Sequence, residues 1–402
     1  MKTFMNPWQG LKKLPHEMWV IFFTTLINRT GTMVLPFLTL YLTSQRKVSP
    51  AEAGFVIAVY GFAALVTAPV VGRVSDKIGS LKIMKASLIF SGLALFLFSF
   101  ITNYYLILCA TFIWSIINES FRPANMSFIS DATDTSQRRT AFALNRLAIN
   151  LGMSIGPVAG GFLSLIDFSL LFYANAFSAV SAGIYLTFAK INLKRDEDHP
   201  DQSVQTEGQE IKFSVLKDKT FLFFLIGITP ATFVFFQHIG AMPLFVVNDL
   251  GYSTAAFGLF SAVNTVLIII AEVPLNEMMS KWRYKNSLFL GALLCSIGFG
   301  GMAFVNESIG LITTIIIWTV GEMIFFPVTA AYVSEIAPPK RSGEYMGYFQ
   351  MTFSFAFMLG PWLGTEIYER LGPFYLWILM FCIGMVSVIA MLKVKERKPH
   401  IS

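Results

Sequence analysis

Charge is what this sequence has least of. Only 13% of its 402 residues are Asp, Glu, Lys or Arg, against 55% hydrophobic residues and a mean hydropathy of +0.62. No soluble domain of this length hides so much apolar surface in one core, so the surrounding solvent is lipid. Cysteine is also scarce: Cys109, Cys295 and Cys382 stand far apart, each inside an apolar run. They are expected to be small buried hydrophobes, with no disulfide and no metal site. No nucleophile stands with a base, and no metal-ligand cluster sits at one membrane face, which argues against a membrane-embedded enzyme. No cleavable leader is expected either. The residues up to Glu17 are polar, with Lys12, Lys13 and two prolines ahead of the apolar run that begins at Trp19.

What the sequence has instead is a succession of apolar runs. Each is about 18 residues or longer, enough for a helix to cross a hydrocarbon core of about 30 Å. The runs lack period-two alternation, so helices rather than a closed barrel satisfy the backbone in lipid. The expected fold is all-α and integral to the membrane. Its approximate spans are 18–43, 51–72, 82–102, 104–130, 139–165, 167–189, 219–247, 254–280, 286–305, 308–336, 343–369 and 372–393. These twelve place both termini on one side. With the N-terminus inside, Arg73, Lys77, Lys82, Arg138, Arg139, Lys281, Arg283, Lys285, Lys340, Arg341 and the tail from Lys393 to Lys398 are cytoplasmic, while the outer loops keep only Arg46, Lys47 and Arg370. This positive-inside bias accounts for the formal charge of +6 without any nucleic-acid partner.

Between the sixth and seventh spans the chain turns polar, with Asp196, Glu197, Asp198, Pro200 and Asp201 nearly in a row. Such a stretch cannot enter lipid. The expected division is a six-helix bundle over 1–190, a cytoplasmic linker over 191–218, a second bundle over 219–393 and a tail over 394–402. Internal similarity supports two halves. Gly156-Pro157-x-x-Gly160 recurs as Gly360-Pro361-x-x-Gly364, an offset of 204 residues. The same offset carries Pro123 to Pro327, Ser130-Asp131 to Ser334-Glu335 and Gly54 to Gly258. Two halves in one orientation, related by an axis along the membrane normal, are a recurring design of secondary transporters.

After the second span comes Gly72-Arg73-Val74-Ser75-Asp76-Lys77-Ile78-Gly79-Ser80-Leu81-Lys82. It resembles the signature loop of the major facilitator superfamily, keeping Gly72, Asp76, Lys77, Gly79 and Lys82 and departing at Ser80. Glycines allow a tight turn between helices, Asp76 suits a helix N-terminus, and Lys77 suits a carboxylate such as Asp131, which together would form a conformational latch. The plainer reading makes these cations positive-inside charge alone. In the fifth span, Gly152, Gly156, Pro157, Gly160 and Gly161 resemble the glycine-proline motif of the superfamily's twelve-helix drug:proton antiporters. The resemblance covers the whole chain and implies two pseudo-symmetric six-helix halves, alternating access and export. One departure stands out. That group carries an arginine in the fourth helix about twelve residues before the proline, where this chain has Thr111. Glu119 and Arg122 lie in the same helix instead, so the group's proton-handling scheme does not transfer unchanged.

Ionisable residues at membrane depth are costly and mark function. For proton coupling the candidates are Glu119, Glu322, Glu272 and His238. Glu119 stands three residues before Arg122, either as a switchable proton site or as a static ion pair. Glu322 has no basic neighbour one turn away, which favours it as the proton site. Glu272, ahead of Pro274, ranks lower, and a lone histidine such as His238 is more often a packing residue. Candidates for substrate binding are Asn28, Arg29, Arg122, Gln237 and Arg146. Arg29 requires neutralisation, either by an anionic or zwitterionic substrate or by Glu119. Phe235, Phe236, Phe325 and Phe326 are placed to line an amphipathic cavity. The expected function is proton-coupled antiport, exporting a small amphipathic or anionic molecule across a bacterial inner membrane. The protein would act as a monomer, using the proton gradient and no other cofactor. The alternative is proton symport of an anionic nutrient, peptide or chelated metal. A pore is disfavoured, since it needs neither latch nor repeat.

Overall fold

In lipid the backbone must bond to itself, and the described chain answers with helices and turns, without a strand. The computed structural model describes residues 14–133, 135–191, 215–279, 282–338 and 342–394, apart from some helix side chains that include Arg73, Asp76 and Lys77. The first crossing combines α1 (His16–Thr30) and α2 (Val34–Gln45); α3 (Pro50–Ile78) and α4 (Ser80–Phe98) follow. The fourth combines α5 (Tyr104–Glu119) and α6 (Phe121–Asp131), and α7 (Thr135–Ile166) and α8 (Ser169–Phe188) close the first half. The seventh runs through α9 (Lys219–Phe235), a 3-10 turn (Phe236–His238), α10 (Ala241–Leu244) and a π turn (Phe245–Asp249). The remaining crossings are α11 (Thr254–Met278), α12 (Tyr284–Gly301), α13 (Ser308–Ile336), α14 (Ser342–Leu371) and α15 (Pro373–Met391). Among the described residues, eleven crossings are long and apolar enough to span a bilayer by composition. The remaining one, α14, has 30 residues, and Gln350, Thr352, Ser354 and Thr365 dilute its apolarity.

Three crossings are interrupted where apolarity alone predicts continuous helices. Each interruption lies just before a proline at the third residue of the next helix: Pro36 in α2, Pro123 in α6 and Pro243 in α10. Proline lacks the donor for the carbonyl four residues back, and its ring crowds that carbonyl. One of the resulting ends is bonded from another helix. Asn175 of α8 accepts from the amides of Met33 and Val34 at 3.3 and 3.4 Å, bonding orphan groups at the start of α2.

Glycine contacts confirm the repeat in three dimensions. A Cβ on Gly156 would lie 3.3 Å from the carbonyl oxygen of Arg29, and one on Gly360 would lie 3.0 Å from that of Phe233, the residue 204 positions after Arg29. Across the halves, a Cβ on Gly54 would lie 3.0 Å from Cα of Trp362. One on Gly258 would lie 3.2 Å from Cα of Val158, the same contact with the halves exchanged. Such exchange is what a two-fold relation requires. Small residues are needed there because lipid supplies no hydrophobic drive between helices, so close approach must hold them.

The packed interior divides unequally. Toward the face opposite the α3–α4 turn, one continuous core joins both halves, with Phe37, Val56 and Ile57 in the same cluster as Met242, Phe257 and Trp377. Toward the α3–α4 face there are two cores. One belongs to the first half, around Met18, Met84 and Phe128; the other belongs to the second, around Phe224, Tyr332 and Tyr345. The halves are therefore fused at one membrane face and packed separately at the other.

Two expectations need correction. Cys295 is buried, but Cys109 and Cys382 are exposed on the flanks of α5 and α15. Lipid is itself an apolar solvent, so an apolar run does not require burial within protein. The signature segment is not mainly a loop either: α3 runs on to Ile78, and only Gly79, at φ +92°, makes the turn into α4. That left-handed φ is the one place in the motif where glycine is conformationally required.

Candidate functional site

In the first half, the missing N–H of Pro123 ends α5 at Glu119 and leaves that carboxylate at a helix terminus. Glu119 Oε1 accepts from the Tyr60 hydroxyl at 2.6 Å and from Asn118 Nδ2 at 3.4 Å. Asn118 Nδ2 also donates to the Tyr60 hydroxyl at 2.7 Å, and Ser115 donates to the Tyr60 carbonyl at 2.7 Å. The Tyr60 ring packs on Trp114 at 5.0 Å and, across the halves, on Phe357 at 6.0 Å. Close by is Arg29, in the last turn of α1, where free carbonyl ends favour a cation. A Cβ on Gly152 would collide with Arg29 Cβ, so this glycine is what lets α1 lie against α7.

Arg29 Nε is buried and has no hydrogen-bond partner. Glu119, Tyr60 and Arg122 act on it electrostatically, yet no described acid comes within ion-pair distance. The Arg29–Glu119 pair is thus not formed, because Glu119 is engaged by Tyr60 and Asn118. The Glu119–Arg122 pair is not formed either. Glu119 bonds to Tyr60 and Asn118 instead, and Arg122 is exposed.

The second half repeats this centre with different chemistry. Asn264 Nδ2 donates to Glu322 Oε2 at 2.7 Å and to Thr319 Oγ1 at 3.1 Å. Asn264, Thr319 and Glu322 stand 204 residues after Tyr60, Ser115 and Asn118. Charge alone does not find Tyr60, Asn118, Asn264 or Thr319, which are uncharged. The signal that finds them is polarity at matched positions of the repeat.

The halves also meet through charge. Arg146 of α7 donates to Glu272 of α11 in an ion pair. The arginine side chain keeps 58% exposure while the glutamate keeps 10%. Both line a cavity of about 640 Å³, with Asn150, Asn276, Trp282 and Pro327. Asn276 Nδ2 donates at 3.1 Å to the Met323 carbonyl, which Pro327 leaves without its helical donor. Arg146 is also within electrostatic reach of Glu322.

Other candidates fall outside these centres. Gln237 is wholly buried, donating to the Gly360 carbonyl at 2.7 Å in the groove beside Gly364, so it packs helices together. His238 has Nδ1 2.6 Å from the Phe235 carbonyl and its ring 4.5 Å from that of Phe235, a packing arrangement. Asn28 is buried, 8% exposed. Phe325 lies in the second-half core against Gly291, while Phe235, Phe236 and Phe326 are half-buried. In the fifth-span motif, Gly160 meets Met33, just ahead of α2, and Phe37 of α2, whereas Gly161 and Pro157 meet α11. In the signature segment, Lys82 and Asp131 are exposed, and Ser127 Oγ lies 3.5 Å from Asp131. The Lys77–Asp131 latch rests on a side chain outside the described set.

Comparison with known proteins agrees with this architecture. The family model described as Major Facilitator Superfamily matches residues 19–326 and 225–402. The chain is 26% identical over 398 residues to the uncharacterized MFS-type transporter YqjV of Bacillus subtilis (strain 168), covering 96% of this chain and 94% of that one. It is 24% identical over 366 residues to Multidrug resistance protein 1 of the same organism, covering 89% and 91%. Among solved structures, the nucleoside transporter NupG aligns with a TM-score of 0.74 at 16% identity, covering 98% and 100%. A D-xylose-proton symporter aligns at 0.73 and 17%, covering 94% and 97%. With the family matched along nearly its whole length, the chain belongs to the major facilitator superfamily, a family of transporters rather than enzymes.

Proposed function

We propose that this protein is a proton-coupled antiporter that exports a small organic molecule from a bacterial cytoplasm by alternating access. The observation that carries this reading is the unequal division of the core. One cluster closes the halves together on one face, whereas two separate clusters and a cavity of about 640 Å³ lie toward the other. That is the arrangement of a carrier open to one side. The positive-inside bias makes the open face cytoplasmic, with both termini on that side and the linker over 191–218 joining the halves.

Export is favoured by the Gly156-Pro157 segment, which sits at the seam where Pro157 meets Gly258 of the other half. Similarity to a multidrug resistance protein points the same way. The proton falls to Glu322. It is held by an amide rather than an arginine, so it can gain or lose its charge without breaking an ion pair. The protein works as a monomer, each copy holding a complete pair of centres.

The test is proton movement in everted vesicles with an acidified lumen, challenged with cationic, neutral and anionic aromatic compounds. A compound that discharges the gradient, and fails to do so with Glu322→Gln, supports antiport. Anion entry together with protons in right-side-out vesicles, and no discharge in everted ones, replaces export by symport. The unpaired Arg29 is what recommends that second reading.

A further inference from the structure

The two-fold register places unlike residues at matched points of the two halves. Arg29 of α1 corresponds to Phe233 of α9, and Arg122 of α6 corresponds to Phe326 of α13. The correspondence is structural as well as numerical, since the carbonyls of Arg29 and Phe233 occupy the same place against Gly156 and Gly360. Matched positions about an axis along the membrane normal lie at the same depth on opposite sides of the molecule. At one level, then, the first half carries two arginines where the second carries two phenylalanines.

The charge balance at membrane depth is equally lopsided. In the first half, Arg29 and Arg122 stand near a single acid, Glu119, whose Oε1 is taken by Tyr60 and Asn118. Arg29 Nε is left buried without a partner. Around the other centre, Arg146 faces two acids, Glu272 and Glu322. Arg122 and Arg146 are exposed and therefore screened, which leaves Arg29 as the buried cation without a bonded acid and Glu322 as the acid held by an amide alone. A proton would neutralise Glu322; an anion would neutralise Arg29. A buried charge without a bonded counter-charge is costly enough to favour a ligand of opposite sign.

We infer that the substrate is an amphipathic organic anion whose acidic head is taken by Arg29 in the first half and whose aromatic body lies toward Phe233 and Phe326 in the second. Arginine suits a carboxylate, sulfonate or phosphonate head through its planar fork. The Phe326 ring is half-buried among Phe235 at 4.8 Å and Phe353 at 5.2 Å, a surface for stacking rather than for hydrogen bonding. One consequence follows from charge conservation. Exchange of one monoanion outward for one proton inward moves two positive charges inward, so the membrane potential alone drives export. A neutral substrate exchanged likewise moves one charge, and a monocation moves none.

This inference rests on the export reading, and the experiment separates the two. Purified protein in liposomes is given three naphthalene compounds that differ in charge: a sulfonate, the matching sulfonamide and a naphthyl trimethylammonium. Uptake is followed by naphthalene fluorescence, with a potassium diffusion potential imposed at equal pH. The sulfonate is expected to move, to respond to potential, and to lose about ten-fold or more in apparent affinity with Arg29→Ala, with recovery in Arg29→Lys. Phe326→Ala is expected to weaken all transported members of the series without changing their order. Transport of the trimethylammonium compound in preference to the sulfonate overturns the inference and leaves export standing. So does sulfonate transport with unchanged affinity in a well-folded Arg29→Ala. Failure of all three to move under either a pH gradient or a potential counts against the export reading itself. The wild-type charge series decides the matter even where Arg29→Ala does not fold.

Discussion

The two polar centres occupy the same places in their halves and hold their acids differently. In the first, Glu119 is fixed by a tyrosine hydroxyl at 2.6 Å, whose ring reaches across to Phe357. In the second, Glu322 is held by Asn264 at 2.7 Å, with no ring spanning the halves from that residue. The difference teaches how a duplicated bundle divides its labour. Geometry is shared by both copies, whereas charge and its partners differ; on the proposed function one centre serves the ligand and the other the proton.

The strongest way to break this comparison is to neutralise each acid in turn. Glu322→Gln is expected to lower pH-gradient-driven flux about 100-fold while sparing gradient-free exchange, and Glu119→Gln is expected to lower it less than about ten-fold. Equal losses would erase the distinction between the centres. The fused face offers a second test, since Gly54 and Gly258 make equivalent contacts across the halves. Gly54→Val and Gly258→Val should each destabilise that face by about 1–3 kcal/mol, seen as a lower thermal midpoint. A loss from only one of them would show that the two-fold contact is not energetically symmetric.

Tyr60→Phe sharpens the comparison further. It removes a hydroxyl bonded to both Glu119 and Asn118 while keeping the ring, at a cost of about 1–2 kcal/mol. Freed Glu119 should then compete for Arg29, weakening substrate binding several-fold; unchanged affinity would show that Tyr60 does not hold the acid back. A smaller coupling, up to about 1 kcal/mol, is expected between Arg146→Ala and Glu272→Ala in a double-mutant cycle, because the arginine is largely exposed. Smallest of all, Cys109→Ser and Cys382→Ser, on the exposed flanks of their helices, should change stability by less than about 0.5 kcal/mol.

Much of the fold was legible from apolarity, because spans in lipid must be long and helical whatever their side chains do. The offset of Gly156 to Gly360 announced the repeat, and the packing of both glycines against equivalent carbonyls bears it out. What apolarity could not reveal was the interruption of helices, which depends on where Pro36, Pro123 and Pro243 remove single hydrogen bonds. At the site, Glu119 and Arg122 looked like an ion pair by spacing alone, whereas the acid bonds to Tyr60 of another helix and to its neighbour Asn118. Arg146 and Glu272, 126 residues apart, meet through the seam between α7 and α11, which no local pattern encodes. Gln237 looked like a ligand group because it is polar in an apolar helix, and the Gly360–Gly364 groove shows why a packing interface needs it.

The division between centres is tested most directly by proton release. Purified protein in weakly buffered detergent solution is mixed with whichever naphthalene compound the wild type transports, and the pH change is read with an indicator dye. The account predicts release of about one proton per site from the wild type and from Glu119→Gln, and none from Glu322→Gln. Full release from Glu322→Gln, with loss of release from Glu119→Gln, would contradict it and move the proton to the first half.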